Sequence, residues 1–122
     1  MKQNAKSPPN DPDLVAAITN FIALAQQKMD DYYARNNFTG PNPIGIDWMT
    51  KYAYLHTSRS SYAYIVLVDG NSNKSIGPVK RGDIMFCAGN LPAKNARGNV
   101  FSDQQGLEAL DPGGSHIRYL RG

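Results

Sequence analysis

The chain has 122 residues, a hydrophobic content of 41%, and 13 lysines and arginines against 10 acidic residues, for a net charge of +3 and a pI near 9.1. That length makes one domain with one modest core. The lone cysteine, Cys87, excludes an internal disulfide and a cysteine metal cluster, and no apolar run reaches the ~20 residues of a membrane span.

The opening "MKQNAKSPPNDPD" has no apolar segment behind its lysines, so it does not read as a signal peptide, and a reducing, cytoplasmic setting is expected. Residues 1 to 10 are polar and proline-containing and are expected to form a disordered tail ahead of a single domain over 11–122. Then "DPDLVAAITNFIALAQQKMDDYYARNN" gives the strongest pattern in the chain. Asp11 is a good N-cap, Pro12 suits the first turn, and Asp13 favours the positive helix end. Leu14, Ile18, Phe21, Ile22, Ala25, Met29, Tyr32 and Tyr33 recur at steps of three and four, which predicts one apolar stripe. The helix should close near Arg35 and Asn36-Asn37 after about 24 residues, roughly 36 Å at 1.5 Å per residue.

"FTGPNPIGIDWMT" reads as a connector with a short edge strand at Ile44, Ile46 and Trp48. "KYAYLHT" alternates, with Tyr52, Tyr54 and His56 opposite Ala53 and Leu55. "SYAYIVLVDG" sets Ala63, Ile65 and Leu67 against Tyr62, Tyr64, Val66 and Val68, after the polar bend "TSRSS". "DIMFCA" predicts a third strand of an antiparallel meander, in which Cys87 is a small core residue. "LPAKNARGNVF" has neither rhythm and reads as a loop poor at packing. A helical turn near Leu107 to Leu110 and a closing strand "HIRYL" complete the prediction. The fold class is α+β, one long N-terminal helix on a small antiparallel sheet.

The charge is uneven. From Lys51 to Arg97 the chain carries Lys51, Arg59, Lys74, Lys80, Arg81, Lys94 and Arg97 against Asp69 and Asp83 alone. Such asymmetry suits a negatively charged partner, although a solvated basic face accounts for it equally well. No phosphate-binding glycine loop, nucleophile elbow or HExxH occurs, and no acid-rich motif accompanies His56 or His116. In "AKNARGN", Lys94 and Arg97 stand beside Asn95 and Asn99, and Gly98 is expected to supply a positive φ that turns backbone amides toward an anion. Arg59 sits among hydroxyls in "TSRSS", and "GGSHIRYLRG" offers His116, Arg118 and Arg121. Arginine gives phosphate a bidentate partner, and Phe86 or a tyrosine can stack on a purine. The plain alternative is that Lys94 and Arg97 are loop charges and Asn99 closes a turn.

The order of long helix, "SRSSYAYIVLVD", "GDIMFCAG", "LPAKNARGNVF" and a Gly-Pro-rich tail ending "YLRG" resembles a group of small bacteriophage proteins, the anti-Thoeris sponge family, with "PAKNARGN" the sharpest piece. The resemblance implies a non-enzymatic protein without cofactor. It would bind a cyclic ADP-ribose isomer made by a bacterial TIR-domain protein and sequester it intact in the host cytoplasm. It also implies a homo-oligomer built through the N-terminal helix. Arg97 and Asn99 would contact the nucleotide and Arg59 and Arg118 its pyrophosphate, with Lys94, Asn95 and His116 nearby. Where related sequences are expected to carry a bulky aromatic before "PAK", this chain has Gly89 and Asn90, and Phe86 takes the stacking role. The rival readings are a phage nucleic-acid-binding accessory protein, an assembly protein, and a small hydrolase using Cys87 with a histidine.

Overall fold

The computed structural model describes residues 7–118 apart from 41, 59, 71–77 and 90. The first six residues of the expected tail, Arg59, Lys74, Asn90 and the end of the closing strand (residues 119–122, with Arg121) lie outside the described residues. Ser7 to Asn10 form neither helix nor strand, and the Asp11 amide donates to the Pro9 carbonyl.

Helix α1 spans Pro12–Arg35 and starts as the sequence requires, with the Asp11 carboxylate accepting from the Leu14 amide. Leu14, Ile18, Phe21, Ala25 and Met29 are buried along one stripe, while Ile22, Tyr32 and Tyr33 are half-buried at its margins. Complete burial of a side chain such as Phe21 contributes about 2–3 kcal/mol. Thr19, Asn20, Ala23, Gln27 and Asp30 face outward.

The stripe lies on a sheet made of β1 (Gly45–Trp48), β2 (Tyr52–His56), β3 (Ser61–Val66), β4 (Asp83–Met85) and β7 (Gly98–Asn99), in that spatial order, with every pairing antiparallel. Ala53, Leu55, Ala63, Ile65 and Ile84 meet the helix in the main core. The opposite face gathers Tyr64, Val66, Val79 and Met85 into a second cluster, flanked by Tyr52, Tyr54 and Cys87. Both faces of β3 are therefore covered, and Tyr62 through Val66 are all buried.

Three expectations need correction. "DIMFCA" is two strands, because the chain leaves the sheet at Phe86 and continues as β5 (Cys87–Ala88), which forms a separate hairpin with β6 (Leu91–Pro92). "LPAKNARGNVF" is no loose loop: it contributes β6 and the edge strand β7, and its Val100 is in the core. The described part of "HIRYL" makes only an isolated bridge, Leu110 to Ile117, since the chain there turns around Asp111 instead of running along the sheet.

The β2–β3 pairing is irregular at one end. Leu55 pairs with Ala63, but His56 pairs with Ser61, which leaves Tyr62 with no residue across from it. This is a β-bulge, and Tyr62 is the extra residue. The alternation predicted Tyr62 on the Tyr64 face; the bulge turns it to the helix side, where it joins the main core cluster.

Candidate functional site

The cationic loop is held by Arg97 and Arg118. The Arg97 side chain is only 7% exposed. Its Nη1 donates to the Lys94 carbonyl at 2.7 Å and to the Asn95 carbonyl, its Nε donates to the Arg118 carbonyl at 3.3 Å, and its guanidinium lies 5.3 Å from the centre of the Phe86 ring. Arg118 returns the arrangement, donating from Nη2 to the Arg97 carbonyl and from Nε to the Glu108 carbonyl, both at 2.8 Å. Burial, together with the neighbouring Arg118 charge, pulls Arg97 below its ordinary pKa. The two arginines thus clamp backbone to backbone.

Asn99 behaves similarly. Its Nδ2 donates to the Arg81 carbonyl and to Asp83 Oδ1, and its Oδ1 accepts from the Phe101 amide at 2.7 Å. Gly98 is not the residue with positive φ; Asn95 is, at +68°. Gly98 is small because a Cβ there would sit 2.8 Å from the Glu108 side chain, whose carboxylate accepts from the Asn99 amide and the Ser102 hydroxyl. Lys94 and Asn95 are exposed at the loop's surface. The structure therefore brings Phe86, Lys94, Asn95, Arg97 and Arg118 together, but the bonds formed by Arg97, Arg118 and the Asn99 side chain are made within the loop and its supports.

A hollow lies elsewhere, between the C-terminal half of α1, the bend that joins β2 to β3, and the tail. It encloses about 460 Å³. One wall is aromatic: Tyr32 and Tyr33 each meet Phe38 edge-on, with ring centres 5.8 Å apart. The opposite wall is built of hydroxyls, from Thr57, Ser60, Ser61 and Tyr62. The walls are tied together by Asn42, 7% exposed, whose Nδ2 donates to Tyr33 Oη while its Oδ1 accepts from Ser58 Oγ and its carbonyl from Gln26 Nε2. Thr57 closes the bend, its amide donating to the Ser60 carbonyl and its Oγ1 accepting from the Ser60 amide.

The tail supplies Ser115 and His116 to the rim. They are held there by Asp111, whose carboxylate accepts the amides of Gly113, Gly114, Ser115 and His116 at 3.0–3.2 Å. Burial alone would raise the pKa of Asp111; those amides and the nearby His116 ring outweigh it and hold the carboxyl below the usual range. His116 Nδ1 is 3.0 Å from the Ile117 carbonyl and 3.6 Å from Asp111 Oδ1. The strap fits against the helix because Gly113 and Gly114 have no side chains: a Cβ at Gly114 would lie 3.1 Å from that of Lys28.

No family model, no curated protein and no solved structure matches this chain.

Two of the three stretches singled out in the sequence, "TSRSS" and "GGSHIRYLRG", border the hollow through Ser60, Ser61, Ser115 and His116, whereas "AKNARGN" does not. Asn42, Tyr62 and the Tyr32–Tyr33–Phe38 wall were missed. A signal for the wall existed: the apolar stripe of α1 ends in two adjacent tyrosines with a phenylalanine just beyond. The bulge that positions Tyr62 has no such mark. Elsewhere, His56 stacks on Tyr54 with ring centres 5.4 Å apart and lies 3.4 Å from Asp47 Oδ2 on the edge strand. Burial pushes the Cys87 thiol up to about 12, which keeps it protonated at neutral pH. Among the described residues no cluster of histidine, cysteine and acidic side chains is suited to a metal, and no helix is long and apolar enough to cross a membrane.

Proposed function

We propose that the protein is a non-catalytic binder that sequesters a small signalling nucleotide of the cyclic ADP-ribose class in this hollow, and that it acts as a bacteriophage counter-defence protein in the host cytoplasm. The observation that carries the reading is an aromatic wall facing a hydroxyl wall across one groove. A nucleobase can stack on Tyr32, Tyr33 or Phe38 while ribose hydroxyls meet Thr57, Ser60 and Ser61. The volume of about 460 Å³ falls within the range of small-molecule sites. A sponge needs enclosure and no activated nucleophile, and the protonated Cys87 thiol is consistent with that. In sequence Arg59 stands next to Ser60 of the hydroxyl wall, which makes it the proposed pyrophosphate partner in place of Arg97 and Arg118.

An assembly through α1, which the resemblance also implies, would use the outward Thr19, Asn20, Ala23 and Gln27, because the apolar stripe is covered by the chain's own sheet. Light scattering on the purified chain reads that state directly.

The direct test mixes the protein with the product of an active TIR enzyme, washes it, denatures it by heat and analyses the released compound by mass spectrometry. Intact cyclic nucleotide is expected. Recovery of linear ADP-ribose would indicate turnover, and recovery of nothing would remove the proposal. Titration with single-stranded DNA at two salt concentrations separates the rival nucleic-acid reading, which requires steeply salt-dependent binding.

A further inference from the structure

Resting on that reading, we infer that Tyr62 is the residue through which the groove recognises its ligand, and that what it recognises is the uncharged nucleoside end of the nucleotide. The backbone first directs the side chain there. A regular β2–β3 ladder would place Tyr62 on the Tyr64 face; the bulge at His56 and Ser61 aims it toward the helix and the hollow.

Its hydroxyl is then left in an unusual position. Tyr62 is 6% exposed and lines the hollow, its Oη is buried, and that atom has no hydrogen-bond partner among the described residues. Other polar groups around the groove are supplied: Tyr33 Oη accepts from Asn42, Thr57 and Ser60 bond one another, and Ser61 Oγ bonds Tyr54 Oη. A buried hydroxyl without a partner is costly, and sites built for a ligand are where such costs persist. Burial, reinforced by the nearby Asp111 charge, raises the Tyr62 pKa, so the group is a donor in search of an acceptor such as a base carbonyl or ring nitrogen.

The rest of the lining decides what that acceptor belongs to. Among the described residues the groove is walled by rings, hydroxyls, an amide and the Met29 side chain, with His116 at the rim and no lysine, arginine or carboxylate. Such a lining suits a flat ring with polar edges better than a diphosphate.

The test compares the wild-type protein with Tyr62→Phe by calorimetry, using adenosine and ADP-ribose as probes, and by thermal melting without ligand. Both probes are expected to bind the wild type. The variant should lose about tenfold in affinity for each, by the same factor at low and high salt, while its unliganded melting temperature stays level or rises. A lower melting temperature in the variant would make the hydroxyl a structural group and overturn the inference. So would unchanged affinity, or ADP-ribose binding without adenosine binding, both of which leave the nucleotide reading standing. If neither probe binds the wild type, this inference falls, and the nucleotide reading is decided separately by the release experiment.

Discussion

Replacing Arg97 by alanine separates a clamp from a ligand contact. The substitution removes three hydrogen bonds from a cationic donor to the carbonyls of Lys94, Asn95 and Arg118, together with the contact on Phe86. Bonds from a charged group contribute about 1.5–3 kcal/mol each, but the freed Lys94 and Asn95 carbonyls belong to exposed residues and regain water, so about 3 kcal/mol in total is a reasonable loss. For a domain of this length that lowers Tm by roughly 12 °C, at about 4 °C per kcal/mol. Urea unfolding followed by far-UV circular dichroism measures the free-energy loss and a thermal melt the Tm, and nucleotide titration of the folded variant supplies the second axis. The Arg118 carbonyl and guanidinium lie in the same clamp, so Arg118→Ala and the double variant should show strong coupling in a mutant cycle. A stability change under about 1 kcal/mol, accompanied by a hundredfold loss of nucleotide affinity, would refute the clamp and return Arg97 to the ligand.

Asp111 sets an acid limit. Its folded carboxyl titrates below the unfolded value of about 3.9, so its stabilisation is complete above that value and disappears as pH falls through the lower, folded one. Asp111→Ala, which strips the acceptor from four amides, should cost about 2 kcal/mol at neutral pH and flatten the stability curve below pH of about 4; an unchanged curve would refute this. Cys87 should resist alkylation at pH 7 in the native protein and react only on unfolding, since burial holds its thiol near 12; rapid native labelling by iodoacetamide would contradict that.

Helix α1 was fully legible because its signals are local: a cap, a proline and a stripe within one segment. Strand β2 was legible because one of its faces is buried and the other half-exposed, so its alternation survives. Strand β3 was legible as a strand, yet its bulge was not, since a residue without a partner across the ladder looks like any other in sequence. The inward turn of the cationic loop was illegible for a related reason. Arg97 satisfies itself on carbonyls, and carbonyls are carried by every residue, so no pattern distinguishes an arginine that turns inward from one that reaches out. The groove escaped notice because its walls come from four separate stretches, which only the tertiary fold assembles.

Tyr62 owes its direction to a single surplus residue in the ladder. Deleting one position between His56 and Ala63 would restore even pairing and leave the helix, the sheet order and most of the core untouched, while swinging the ring out of the hollow. On the proposed reading, scaffold and specificity are thus separable by one codon: the architecture can persist through a change that withdraws the Tyr62 hydroxyl from the hollow, or regain it by the reverse step.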